Sequence, residues 1–145
     1  MTDNHLVFVC ERSPGFARIA AAVANARSTD ETTAVGGPIQ AAGFVHKRVA
    51  DAGRRVGCTI ETGRVEPLDV RTLRDADSVV AMGCTPDWVV DLPHADHWDG
   101  DFPSAADPNT IQDAMERAEA RVDRLLVETT AVDATTSNSG QSVVD

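Results

Sequence analysis

Short apolar runs alternate along the chain with longer stretches in which apolar residues recur at helical spacing. Two runs, His5–Val9 and Asp77–Met82, predict buried parallel strands. Weaker β-prone segments predict three further strands, at Thr33–Val35, Arg64–Glu66 and Ala95–Trp98. Each of the two stronger runs ends in residues that break regular structure, at Cys10–Gly15 and Gly83–Pro86.

Helical periodicity predicts the elements between these strands. We expect helices over Phe16–Arg27, Gln40–Val56 and Thr110–Glu128, and a short helix over Val70–Arg74 that Asp69 caps. Residues after Thr129 are rich in Thr, Ser, Asn and Gly and lack periodicity. The pattern therefore predicts one domain over residues 1–128 and a disordered tail over residues 129–145.

Strands that alternate with helices predict a doubly wound parallel sheet with helices on both faces. In this architecture ligands bind beyond the carboxyl ends of the strands. The Cys10–Gly15 and Gly83–Pro86 segments both lie at that edge, so we expect the functional site there.

The charge of the chain excludes several classes of partner. Thirteen Lys and Arg oppose 23 Asp and Glu for a formal charge of −10, and Lys47 is the only lysine. This balance argues against binding nucleic acid or an anionic membrane through a general basic surface. An acidic, lysine-poor surface suits a protein that works in concentrated salt, where self-repulsion is screened; an ordinary acidic cytosolic protein is the alternative.

Cysteine usage and hydropathy indicate a cytoplasmic protein. Cys10, Cys58 and Cys84 are widely spaced and form no zinc motif, so we expect free thiols, no metal and no cofactor. No apolar run is long enough to span a membrane, and Met1–His5 lacks the features of a signal peptide.

A cysteine between a strand and a helix has a chemical use. Helix N-termini attract anions and lower the pKa of a nearby thiol, which then attacks a phosphoryl group or a similar oxyanion. Cys10 occupies such a position. The alternative is that Cys10 is a small buried residue at the end of a strand.

Several short segments, in their order along the chain, resemble the low-molecular-weight protein tyrosine phosphatases and, most closely, the thioredoxin-coupled arsenate reductases. They are Val7-Phe8-Val9-Cys10, Ile19-Ala20, Val79-Val80-Ala81-Met82-Gly83-Cys84 and Trp98-Asp99. The resemblance covers Leu6 to Leu126. It implies a flavodoxin-like three-layer α/β/α sandwich with a four-stranded parallel sheet. It also implies a small oxyanion or phosphorylated substrate, attacked by Cys10.

The chain departs from this family in the anion-binding loop, which has a Cys, five residues, then Arg and Ser or Thr. Without a gap, Phe16 and Ala17 fall at the Arg and Ser positions, in a loop that also includes Glu11, Arg12, Ser13 and Gly15. Arg12-Ser13-Pro14 matches the family's Arg-Ser-Pro only if the loop is four residues shorter, so we prefer the ungapped alignment. Loss of one such donor lowers a rate about 10²–10³-fold. Arg18 or Arg12 is then the candidate replacement.

Glu11 is expected to add a negative charge inside this loop, where it would repel phosphate and raise the pKa of Cys10. The family's general acid is an Asp before a Pro, shortly after the region of Trp98. Here Phe102 precedes Pro103, so Asp101 and then Asp107 are the candidates, unless both belong to the solvated acidic surface.

Arsenate reduction by a relay of cysteines needs two further thiols. Cys84 matches the first relay position, but Asp91 stands near the second, and we expect Cys58 to be a core residue. A disulfide between Cys10 and Cys84 remains as a candidate redox switch, and a thioredoxin-like reductant is a less favoured partner. His94 and His97 lack a third ligand, which favours structural roles over metal binding. Two hypotheses for the function of the chain stay open: it is a Cys10-dependent enzyme, or it is a non-catalytic relative that binds an anion or a protein partner.

Overall fold

A computed structural model describes residues 4–11, 13–28, 32–40, 42–83, 86–98 and 107–138, with side chains described as far as residue 127. The β-strands are β1 (Asn4–Val9), β2 (Thr32–Gly37), β3 (Gly43–Val45), β4 (Gly63–Val65), β5 (Ser78–Met82) and β6 (Ala95–Trp98). The helices are α1 (Pro14–Arg27), α2 (Lys47–Arg55), α3 (Val70–Asp75), α4 (Asp87–Val90) and α5 (Pro108–Asn138). No helix in these described ranges is long and apolar enough to cross a lipid bilayer.

Four strands form a parallel sheet in the order β2-β1-β5-β6. The inner strand β1 buries both of its faces, because Leu6 and Phe8 point toward α1 and α5 while Val7 and Val9 point toward α3 and α4. This burial explains why the strand is a continuous apolar run rather than an alternating one. The predicted doubly wound α/β/α sandwich with a four-stranded parallel sheet is confirmed.

The predicted helix over Gln40–Val56 is wrong in its first half. Gly43–Val45 is strand β3, which pairs antiparallel with β4, and helix α2 begins only at Lys47. The cause is tertiary, since Val45 is fully buried and packs with Ala50 and Val65 in a small core of its own. The predicted strand around Arg64–Glu66 accordingly belongs to this two-stranded antiparallel sheet and not to the parallel sheet. We call the pair of strands the β3 hairpin, although helix α2 lies in the connection between them.

Of three other helices, α3 agrees with expectation, whereas α4 and α5 differ from it. Asp69 caps α3 as predicted, and its carboxylate accepts a hydrogen bond from the Arg71 N–H at 2.9 Å. The four-residue helix α4 is too short for periodicity to detect. The last helix runs from Pro108 to Asn138, ten residues past its predicted end. The domain boundary at residue 128 stays a prediction.

Strand β2 lies at the edge of the sheet and is protected there by a side chain of α1. The Asn25 carboxamide donates to the Ala34 carbonyl at 2.9 Å and accepts from the Ala34 N–H at 2.8 Å. Asn25 therefore acts as a short substitute for a neighbouring strand, which limits pairing with other chains.

We predict that Asn25→Ala lowers the free energy of unfolding by about 1–3 kcal/mol, because two backbone groups of Ala34 lose their partner. Chemical denaturation measures this loss, and hydrogen exchange at the Ala34 amide should accelerate with it. Asn109→Ala, at an exposed position of α5, is the control and should change stability by less than about 0.5 kcal/mol. Equal effects of the two substitutions would contradict the bridging role.

Candidate functional site

Cys10 lies at the carboxyl edge of the sheet, directly after the inner strand β1. Its N–H donates to the Gly37 carbonyl of β2 at 3.2 Å, which extends the ladder by one residue. The residue is only 3 % exposed, and it packs in the core that contains Phe8, Phe16 and Met82. The structure therefore places the predicted nucleophile at the expected edge, but beneath the surface.

The connection from Cys10 to helix α1 is short. Helix α1 begins at Pro14, so three residues lie between Cys10 and the helix; of these, Arg12 lies outside the described residues. Pro14 suits the first helical turn because the missing N–H would be unpaired there anyway. Ser13 is buried at 2 % exposure, and its carbonyl accepts the Phe16 N–H at 2.9 Å.

Three residues expected in the anion-binding loop, Gly15, Phe16 and Ala17, lie instead in the opening turns of α1. The side chain of Phe16 is fully buried among the core residues between α1 and the sheet. Where the ungapped alignment has the family's arginine, this chain thus has an aromatic ring that faces the core. A guanidinium group at this position would have to replace packed hydrophobic contacts.

The first turns of α1 also press closely on β2. A Cβ atom at Gly36 would lie 2.1 Å from the Ala17 carbonyl oxygen, so only glycine permits this approach. This close contact fixes the position of helix α1 on β2. Phe16, which lies in the first turn of α1, is thereby held in the core.

The Glu11 carboxylate does not point freely into the loop as expected. One oxygen lies 2.5 Å from the Ile39 N–H nitrogen, and the other lies 3.1 Å from that of Gln40. These backbone donors follow strand β2, so Glu11 ties the Cys10 connection to the start of the β3 hairpin. A fixed negative charge consequently remains one residue from Cys10.

Arg18, the first candidate to replace the missing arginine, is exposed on the outer side of α1. It is four residues beyond Pro14, about 6 Å along the helix axis. Its guanidinium would have to reach back over the first turn to meet an anion near Cys10. The other candidate, Arg12, lies among the residues whose structure is not described.

Asp101 and Cys84 also lie outside the described residues, but the segments that lead to them are joined. The Gly83 N–H donates to the Trp98 carbonyl at 3.0 Å, and the His97 Nε2 atom lies 2.9 Å from the Gly83 carbonyl oxygen. The Trp98 ring covers this end of the sheet, 5.7 Å from the Phe8 ring, and the Arg121 guanidinium lies 5.9 Å above it. Trp88, by contrast, is 43 % exposed.

Asp107, the second candidate for the general acid, caps the last helix. Its carboxylate accepts hydrogen bonds from the Asn109 and Thr110 N–H groups at 3.0 Å and from the Thr110 hydroxyl at 2.8 Å. The bond from the Thr110 hydroxyl, followed by the bond from its N–H, holds the pKa of Asp107 below its ordinary value of 3.8. In the structure Asp107 therefore has a capping role at the start of α5.

The other titratable candidates have structural roles. Cys58 is a core residue as predicted, and burial raises the pKa of its thiol. The His94 Nε2 atom lies 2.8 Å from the Leu73 carbonyl oxygen, and His97 contacts Gly83 as above. Within the described part of the chain, no three His, Cys, Asp or Glu side chains are grouped so as to hold a metal ion.

The β3 hairpin is the part of the site region that sequence reasoning missed. A Cβ at Gly43 would lie 2.5 Å from the Pro14 Cγ atom, and one at Gly15 would lie 2.8 Å from a methyl carbon of Val49. The hairpin and α2 therefore pack directly on the start of α1. The only local signal was the short β-prone sequence Gly43-Phe44-Val45, which the longer helical pattern obscured.

Comparison with known proteins finds similarity at the level of three-dimensional structure. No family model and no curated protein sequence matches the chain. The YwlE arginine phosphatase from Geobacillus stearothermophilus superposes with a TM-score of 0.71 at 17 % identity, over 98 % of this chain and 99 % of that one. A low-molecular-weight protein tyrosine phosphatase from T. tengcongensis gives 0.69 at 18 % identity, over 87 % and 99 %.

A thioredoxin-dependent arsenate reductase from Corynebacterium glutamicum gives a TM-score of 0.65 at 20 % identity and covers 90 % of this chain. The present chain spans only 64 % of that protein. The chain has the fold of these phosphatases and arsenate reductases. The predicted resemblance is thereby confirmed for the fold, and the chemistry of this chain has to be argued from its own residues.

We predict that Phe16→Arg lowers the free energy of unfolding by at least about 3–5 kcal/mol, because it removes a core ring and buries a charge. Denaturant titration measures the loss. Phe16→Leu should cost only about 1–2 kcal/mol. Ala120→Arg, which adds the same charge at an exposed position of α5, should be nearly neutral. A stable Phe16→Arg protein would show that residue 16 can turn toward the loop.

We also predict that Asp107→Ala lowers the denaturation midpoint at neutral pH and that this difference disappears in acid. Because the pKa of Asp107 is lowered in the folded state, its contribution is present above pH 3.8 and is lost as the pH falls through the folded value. Denaturation midpoints measured from neutral pH to below 3.8 test this, with Asp113→Ala on the exposed side of α5 as control. A midpoint difference that grows in acid would contradict the capping role.

Proposed function

We propose that this protein is a non-catalytic relative of the low-molecular-weight phosphatases and arsenate reductases, which keeps their fold and acts by binding a partner. The observation that carries the proposal is the burial of Phe16, the residue that the ungapped alignment sets at the position of the family's arginine. An arginine fork contributes two charge-assisted hydrogen bonds to such an anion, and a buried phenyl ring contributes none.

The surroundings of Cys10 support the same proposal. The thiol is almost excluded from solvent, and the next residue in the chain, Glu11, carries a carboxylate that the Ile39 and Gln40 N–H groups hold. A phosphoryl oxyanion that approached Cys10 would meet repulsion where the family supplies positive charge. Loss of one preorganised donor alone lowers a rate by about 10²–10³-fold, so these features together oppose turnover.

A second candidate function is phosphoester or arsenate-type chemistry through Cys10. It is favoured by one observation, the position of Cys10 between the end of an inner strand and the start of α1, where ligands bind in this architecture. In this reading Arg12 or Arg18 holds the anion and Asp101 protonates the leaving group. A disulfide between Cys10 and Cys84 would be the corresponding redox switch, served by a thioredoxin-like reductant.

We further propose that the protein works in the cytoplasm, with its thiols reduced. The three cysteines of the chain are widely spaced and form no disulfide framework recognisable in the sequence, which suits a reducing compartment. Its 16 Asp and single Lys suit concentrated salt, where the repulsion among 23 carboxylates is screened. The overall charge of −10 makes nucleic acid and anionic membranes poor partners.

An aryl phosphate assay at high salt separates the two functions. We expect the unmodified protein to show no turnover that depends on Cys10, so that Cys10→Ser changes nothing. We also expect that phosphate and sulfate do not stabilise the folded protein in thermal denaturation. Cys10→Ser, Arg12→Ala and Arg18→Ala are assayed beside the unmodified protein, with Arg117→Ala on α5 as a control for lost charge. Turnover that disappears in Cys10→Ser and in one loop arginine variant, but persists in Arg117→Ala, would establish the enzymatic function instead.

A further inference from the structure

Positive charge is concentrated on one helix of this acidic protein. Helix α2, Lys47–Arg55, carries four cations and one carboxylate in nine residues. The remainder of the chain carries nine cations and 22 carboxylates. A net charge of +3 on α2 therefore stands against a net charge of −13 elsewhere.

All of these charges share the solvent side of α2. The opposite side is buried against α1 and the hairpin, through Val49, Ala50, Ala52 and Gly53. We call the exposed side the basic face, defined by four cations around one carboxylate: Lys47, Arg48, Arg54 and Arg55 around Asp51. It is about 14 Å long, from nine residues at 1.5 Å each.

Asp51 is the one carboxylate within α2, beside four cations of the same helix. Asp51 accepts hydrogen bonds from the Lys47 ammonium at 3.0 Å and from the Arg54 guanidinium at 2.7 Å. The Lys47 hydrogen bond is the largest cause that lowers the pKa of Asp51, and the charges of Arg54 and Arg55 act in the same direction. Arg48 and Arg55 add two further cations to the same exposed side.

An aromatic side chain borders the basic face. Phe44 of strand β3 is 52 % exposed, and its ring meets that of His46 edge-on, with centroids 5.0 Å apart. His46 is the N-cap residue of α2, so the ring pair stands at the start of the helix. Aromatic rings beside cations are typical of the surfaces at which proteins bind other proteins.

The helix that carries the basic face is fixed in place through its opposite side. Gly43, which precedes Phe44, packs on Pro14 at the start of α1, and Val49 of the buried side of α2 packs on Gly15. The basic face is therefore presented to solvent by a helix that is anchored to the core.

We infer that the basic face and Phe44 form a docking surface for a short acidic peptide segment of a partner protein, with an aromatic or aliphatic side chain that packs on Phe44. This inference rests on the proposed function and identifies the class of partner. Four or five extended residues span the length of the face. A long polyanion such as nucleic acid would extend past it onto a surface of net charge −13, which repels phosphate.

Fluorescence anisotropy with the labelled hexapeptide Glu-Asp-Glu-Phe-Asp-Glu tests the inference. Binding is measured in about 0.15 M KCl, where charges act over about 8 Å, and again at higher salt. We expect binding that weakens as salt rises, and at least about tenfold weaker binding of the uncharged peptide Gln-Asn-Gln-Phe-Asn-Gln. Circular dichroism verifies that every variant is folded at each salt concentration.

Charge reversal locates the binding surface. Arg48→Glu combined with Arg55→Glu should weaken binding about tenfold or more, and it leaves both hydrogen-bonding partners of Asp51 in place. Arg117→Glu combined with Arg124→Glu makes the same change in net charge on exposed positions of α5, and should alter binding less than about twofold. Phe44→Ala should weaken binding about threefold or more.

Several results would overturn the inference. These are no peptide binding, equal weakening by the two charge reversals, or tighter binding of a short oligothymidylate or of anionic phosphatidylserine vesicles than of the peptide. A further contradicting result would come from sedimentation velocity. If the protein is a dimer and Arg48→Glu combined with Arg55→Glu dissociates it, the basic face binds a second copy of this chain. Turnover of aryl phosphate through Cys10 contradicts only the proposed function, whereas failure of peptide binding contradicts only the docking surface.

Discussion

The contact between the first turns of α1 and the edge strand β2 fixes the surroundings of Cys10. The Ala17 carbonyl lies so close to Gly36 that no larger residue fits, and this approach holds α1 against the carboxyl end of the sheet. Phe16 then fills the core beneath α1, and Cys10 is covered. Hydrophobic packing therefore fills the space around Phe16 and Cys10 at the carboxyl edge of the sheet.

The second consequence of this packing is electrostatic. The β3 hairpin and α2 lie against the start of α1, so the most basic helix of the molecule stands beside the closed Cys10 region. Glu11 links the two by bonding to the backbone of Ile39 and Gln40. The region thus combines a buried thiol, a carboxylate bound by backbone N–H groups and, on the outer side of α2, an exposed set of cations.

Much of the fold follows from local sequence. The buried strands β1 and β5, the capped helix α3 and the amphipathic start of α5 each show their periodicity or capping residue within a few positions. The hairpin β3–β4 could not be predicted in this way, since its partner strands lie 20 residues apart and its small core forms only when Val45 meets Ala50 and Val65. Asp107 illustrates the same limit. An aspartate is suited both to capping a helix and to acting as a general acid, so the residue type alone does not distinguish the two roles.

The sequence by itself determined the net charge, the parallel α/β architecture, the place of Cys10 after the first strand and the absence of an arginine six residues later. These properties depend on residue type and on spacing along the chain. Only the tertiary structure decided that Phe16 faces the core, that Glu11 is bound by the backbone of a distant loop and that four cations gather on one exposed face. Each of these features depends on how elements distant in sequence pack together. A local sequence pattern does not specify which distant residues a side chain will contact.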